Sequence, residues 1–347
     1  MTTAFNCIAT GIGSLPLTDP DQAAALCLEY LPDAPIWPQL SPRSFHEHMD
    51  GQYSESLPGI VVDEKRQRFS FDTSKDLTPK LEEFFGRYLE KDYSYFKLSE
   101  DYAAGFYGFL RAIRKGLPKG ARFLKGHITG PLTAGISFKD ETGKDIIHND
   151  VIFDAVVKGL AMKAAWQIDT FKPFGLPVII FIDEPAMESL GSAFSAASPD
   201  MIAEKLNEII DTIHELGGIA GIHCCGNADW PMIMGTKVDI VNFDAFGYLE
   251  KVLLYPAELK KFLDRGGALA WGIVPTGAFT GNENADGLLA KLEAGIQRLA
   301  GAGIDRSVIL RQALITPSCG MGSLTPEKAV AILRLTREVA DRMQKKI

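Results

Sequence analysis

Short, unbroken apolar runs recur along this chain, and longer stretches of helical periodicity separate them. The runs fall at 8–12, 123–128, 178–182, 218–222, 240–243, 268–271 and 308–310, with a weaker one between 59 and 71. A strand that is apolar on both faces is buried on both, which is the mark of a parallel sheet covered by helices. One intervening helix is expected over 200–216, with Met201, Leu206, Ile209, Ile210 and Ile213 near helical spacing and Gly217 as its stop. Another opens at Thr325-Pro326-Glu327, a hydroxyl cap followed by proline and an acid. Eight strand–helix units predict an α/β chain folded as a (β/α)8 TIM barrel, and a length of 347 residues fits one. We read a single domain over 1–347, with an irregular insertion around 37–75 that carries Pro38, Pro42 and Pro58. The alternative, an open doubly wound sheet, needs a glycine-rich phosphate loop, and no such pattern occurs.

Composition removes several function classes. A net charge of -8 leaves no basic footprint, so no nucleic-acid partner is expected. No apolar run approaches the ~18 residues of a membrane span. The first residues do not read as an export signal, so a cytoplasmic location is expected. Five cysteines in a chain of this length are no disulfide framework, which points to metal binding or catalysis.

In a (β/α)8 barrel the chemistry sits at the C-terminal ends of the strands. The polar clusters of this sequence fall there. Gly221-Ile222-His223-Cys224-Cys225-Gly226-Asn227 follows an apolar stretch, and spacing two in a strand puts His223 and Cys225 on one face. Cys224 then faces the other way, as a structural cysteine. Cys319, in Pro317-Ser318-Cys319-Gly320, follows another apolar run. Imidazole and thiolate are ligands that Zn²⁺ prefers, so His223, Cys225 and Cys319 form a candidate site with one position open for substrate. Asp244 ends the 240–243 run and is either a fourth ligand or the cap of the next helix. Asp183 and Glu184 end the most apolar run, as helix N-terminal acids or as partners of an amine or a metal. Gly13 and Ser14 form a turn, or a carboxylate site built from hydroxyl and backbone N–H. His127 is a core histidine or a catalytic contact to substrate or donor. His46 and His48 read as surface residues of the insertion.

Several segments, in order, resemble the catalytic half of cobalamin-independent methionine synthase. They are Ile12-Gly13-Ser14-Leu15-Pro16, Ile128-Thr129-Gly130-Pro131-Leu132-Thr133, Phe181-Ile182-Asp183-Glu184-Pro185, Asp239-Ile240-Val241-Asn242-Phe243-Asp244 and Pro317-Ser318-Cys319-Gly320. The His223–Asn227 run is more similar to the metal motif of the methylcobamide:coenzyme M methyltransferases, in a superfamily that also holds uroporphyrinogen decarboxylase. The resemblance implies zinc on His223, Cys225 and Cys319, with Asp244 where the synthase has a glutamate ligand. It implies an amino-acid thiol, homocysteine, bound through Asp183 at its amino group and through Ser14 at its carboxylate, with Glu55 and Glu184 assisting. The implied activity is methyl transfer to that thiol, giving methionine. The chain departs from the synthase at Ile136-Ser137-Phe138, where a tryptophan motif is expected, and at Gly272-Ile273-Val274-Pro275, where a histidine is expected. No counterpart of the synthase's N-terminal half is expected in this chain. These departures make a methylated corrinoid, free or protein-bound, the expected donor in place of methyltetrahydrofolate. Coenzyme M methylation and porphyrinogen decarboxylation are the alternatives.

Overall fold

A computed structural model describes residues 3–190 and 197–347 of the chain. The described strands are β1 (Ile8–Ala9), β2 (Ile60–Asp63), β3 (Arg68–Phe71), β4 (Leu124–Thr129), β5 (Val178–Asp183), β6 (Ile219–Cys224), β7 (Ile240–Phe243), β8 (Ala268–Val274) and β9 (Ala313–Pro317). Seven of them pair in parallel in one curled sheet, in the order β1-β9-β8-β7-β6-β5-β4. Helices such as Asp150–Phe171 and Pro199–Glu215 run between them and Pro326–Gln344 follows the last, so the chain is an α/β fold whose curled sheet forms a half-barrel, consistent with a TIM-like barrel but not closed.

Strand periodicity sorts the side chains into two apolar layers. Ile179 and Phe181 point to the inside with Phe5, Ile8, Ile240, Ala268, Ala270 and Leu314. Ile180 and Ile182 point outward into the larger layer beneath the helices. Gly221 pairs with Phe181 in register, and a Cβ there would stand 2.4 Å from the phenyl ring. The glycine thus lets that ring fill the interior. The same inner row continues upward to Asp183 and His223, which are register partners.

The sequence reading is corrected at three points. The sheet has seven strands among the described residues, not eight, and no continuous ladder joins β1 to β4. The segment 34–39 lies in that gap. Lys125 donates its N–H to the Pro35 carbonyl at 2.9 Å, Gln39 to Gly13 at 3.0 Å, and Leu15 to Gln39 at 2.9 Å. Pro35 and Pro38 carry no N–H, so these contacts remain isolated bridges rather than a strand. The weak run between 59 and 71 forms the antiparallel hairpin β2–β3, apart from the main sheet. The run 308–310 lies in the helix Arg306–Arg311, started by Asp305 accepting the Ser307 N–H at 2.8 Å. The strand comes just after it, at Ala313–Pro317. Three apolar residues carry no period that separates helix from strand.

The helix signals match well. Ser198 accepts the Met201 N–H at 3.2 Å at the start of Pro199–Glu215, and Gly217 closes it at φ +73°. Thr325 caps Pro326–Gln344 by accepting the Lys328 N–H at 3.4 Å. Among the described residues, no helix is long and apolar enough to cross a membrane.

Candidate functional site

His223 stands on the inner face at the end of β6, and Cys225 lies one residue beyond the strand. Cys319 follows β9. The turn after it packs against the turn after β1. A Cβ on Gly320 would lie 2.3 Å from the Ser14 hydroxyl, and Gly322 donates its N–H to that hydroxyl at 3.1 Å. This packing brings one ligand atom from each of His223, Cys225 and Cys319 within 4.8 Å of one another. One imidazole and two sulfurs make a donor set suited to Zn²⁺, with a tetrahedral position left over.

The electrostatics of the three groups are coupled. Hydrogen bonds from Cys319 and His223 pull the Cys225 thiol down to about 4. Cys319 shifts the other way, because its proton is held towards Cys225. Burial opposes charge on His223, yet its bond to Cys225 and the nearby Asp183 carboxylate carry its pKa above the ordinary value. The cluster is therefore poised to release protons to a cation.

Asp183 is buried in the same wall. Burial raises its carboxyl to about 6, against the pull of His223 and Lys125. Its Oδ1 has no hydrogen-bond partner among the described residues. Lys125 is fully buried, and burial lowers its amine to about 7. It donates to the Ile12 carbonyl at 2.7 Å and lies 4.0 Å over the Phe181 ring, fixing the turn that carries Gly13 and Ser14. Gly13, Ser14, Asp183, His223, Cys225 and Cys319 line one cavity of about 400 Å³. A second cavity of about 440 Å³ shares Cys225 and Cys319, and Asp244, Pro275 and Thr276 line it.

Three residues expected at the site stand elsewhere, and a fourth, Asp244, borders only the second cavity. Glu184 turns away from Asp183 and accepts the Leu132 N–H at 2.8 Å, the Thr133 N–H at 2.9 Å and the Thr133 hydroxyl at 2.6 Å. Its carboxylate is thus taken up by the start of the helix Pro131–Ser137. Glu55 accepts the Ser99 N–H at 2.7 Å and does not line the cavity. Asp244 accepts the Gly247 N–H at 2.7 Å in the turn before the helix Leu249–Val252, so it does not cap that helix, and it is not part of the His–Cys–Cys group. His127 packs beneath Gly13, where a Cβ would stand 3.1 Å from its ring, and stacks on Trp37 at 4.0 Å. Burial holds its pKa well below the ordinary range, so the ring is neutral, and it does not line the cavity.

Other residues join the cavity unannounced by sequence. Gln39, Ser41, His48 and Met49 line it from the segment expected to be an insertion. No periodicity marks them, because they belong to the irregular bridge and the turns after it. Asn242 contacts His223 from β7; the motif 239–244 contains it, but no role was expected for it from sequence.

No protein-family model matches the sequence, and no curated protein matches it. Solved structures do match in fold. A protein described as a vitamin-B12-independent methionine synthase from Listeria monocytogenes is 15% identical, over 99% of this chain and 98% of that one, with a TM-score of 0.57. A B12-independent methionine synthase from Shewanella sp. W3-18-1, solved with selenomethionine, is 16% identical over 99% of both chains, with a TM-score of 0.59. At such identities the likeness is one of fold.

Proposed function

We propose that the chain is a zinc-dependent methyltransferase that methylates the thiol of homocysteine to give methionine. The observation that carries this reading is the cavity in which His223, Cys225 and Cys319 converge beside an Asp183 carboxylate oxygen that has no hydrogen-bond partner among the described residues. A free thiol, of pKa ~8.5, is mostly protonated at neutral pH and nucleophilic only as thiolate. Zinc held by His223, Cys225 and Cys319 would favour the thiolate of a substrate sulfur at the open position. Asp183, ionised above about pH 6, pairs with the substrate ammonium. The Ser14 turn, fixed by Lys125 below and Gly322 above, offers its hydroxyl at the cavity wall to the carboxylate end. Holding both ends of the amino acid orients its sulfur, and such orientation contributes up to ~7–11 kcal/mol of barrier lowering. The fold likeness to two proteins described as B12-independent methionine synthases, one of them in complex with selenomethionine, supports an amino-acid product.

For the donor we infer a methylated corrinoid. Pro275, Thr276, Gly277 and Ala278 border the second cavity beside Cys225 and Cys319 and present neither histidine nor tryptophan to a pterin. Purified protein assayed with homocysteine should turn over with methylcobalamin and be slow with methyltetrahydrofolate. Coenzyme M, which has no ammonium group, should be a poorer acceptor than homocysteine. Efficient turnover with methyltetrahydrofolate alone refutes the donor, and a preference for coenzyme M refutes the acceptor.

A further inference from the structure

We infer that Asn242 is a positioning residue: its side chain fixes which nitrogen of His223 faces the cation. Asn242 lies on β7 in register with His223 and is fully buried. Its amide can be oriented in one way only. The Ala270 carbonyl lies 2.8 Å from one end of the group, and a carbonyl only accepts, so that end is the NH₂. The Thr316 hydroxyl oxygen takes the second N–H at 2.9 Å. The remaining oxygen, Oδ1, faces Nδ1 of His223 in a short hydrogen bond. An amide oxygen only accepts as well, so Nδ1 carries the proton. Nε2 is then the nitrogen that faces the space shared with the Cys225 and Cys319 sulfurs, and it presents a lone pair there once it gives up the proton it shares with Cys225.

Strands β8 and β9 thereby determine the tautomer on β6, through one asparagine on β7. In the Nδ1–H tautomer the ring is ready to coordinate. In the other, coordination would require either a proton shift or a ring flip that strands Asn242. Hydrogen bonds that orient metal-bound histidines in this way typically change affinity by about 10–100-fold.

The inference rests on the zinc reading above, and its test separates the two. Zinc affinity of the full chain is measured by chelator competition, and the visible spectrum of the Co²⁺ form reports the ligand field. Asn242→Leu keeps the volume and removes the acceptor, and should bind zinc about 10–100-fold more weakly with an altered Co²⁺ spectrum. Asn242→Asp keeps the acceptor, and should stay within about threefold of wild type even though it loses stability against the Ala270 carbonyl. Wild-type affinity in Asn242→Leu overturns the inference, as does a loss in both variants that merely tracks their fall in Tm. The imidazole ¹⁵N shifts of His223 in the metal-free wild type give a second readout, which holds even if wild type binds no zinc or Asn242→Leu does not fold. Neutral His223 should carry its proton on Nδ1, and finding it on Nε2 overturns the inference.

Discussion

Asp183→Asn should gain stability relative to wild type as pH rises towards neutrality in the metal-free protein, while weakening substrate binding. In the folded chain burial raises the Asp183 carboxyl from 3.8 to about 6. The native state therefore holds that proton more tightly than the unfolded chain does. Stability is fully present below the unfolded value and is lost as pH rises through the folded one. The move is roughly two tenfold steps in proton affinity, at ~1.4 kcal/mol each, so on the order of 3 kcal/mol is lost between about pH 4 and pH 7. His223, Lys125 and Cys225 share that charge environment, so this is a ceiling. Asparagine does not titrate. Its buried amide, opposite the space where Oδ1 finds no partner, costs about 1–3 kcal/mol at every pH. That constant cost cancels when the two proteins are compared across pH. Urea unfolding of both, metal-free, should give a stability difference that swings in favour of Asp183→Asn by up to about 3 kcal/mol as pH rises from about 4 to about 7. The same variant should raise the KM for homocysteine about 10- to 150-fold, since a hydrogen bond to a charged group contributes about 1.5–3 kcal/mol. Parallel stability curves would refute the electrostatic argument, and an unchanged KM would refute the role in binding.

Cys225→Ser and Cys319→Ser should each lose most bound zinc by metal analysis; unchanged content in both would remove the proposed site. Glu184→Ala leaves two N–H groups and a hydroxyl without their acceptor, and should cost about 2–4 kcal/mol in urea unfolding with no change in zinc content. A normal stability with a raised KM would instead place Glu184 at the substrate. The bond to Asp239 at 2.7 Å raises the His214 pKa, so its contribution is present below about 6.5 and is lost as pH rises through the folded value. Both groups are partly exposed, so His214→Gln should cost under about 1 kcal/mol at about pH 5.5, and the gap should close by about pH 8.5.

Much of this arrangement is legible in sequence because it depends on local period. Unbroken apolar runs give parallel strands wherever they are long enough to exclude a helix, as in β5 and β6. The spacing of His223 and Cys225 places both towards the interior, and glycines around Ser14 and Cys319 mark turns at strand ends. The short run 308–310 lacked the length to reveal its class and proved helical. The segment 34–39 lacked any pattern, because its prolines stop it from making a ladder. What only the tertiary structure decides is which polar group meets which. Asp183 and Glu184 are adjacent and chemically alike, yet one faces the cavity and the other the helix start at Thr133, 51 residues back along the chain. Asn242 takes its orientation from acceptors 28 and 74 residues away. Periodicity fixes the face of a strand on which a side chain lies, whereas strand order and register across the sheet fix its partner, and partners determine its protonation and its chemistry.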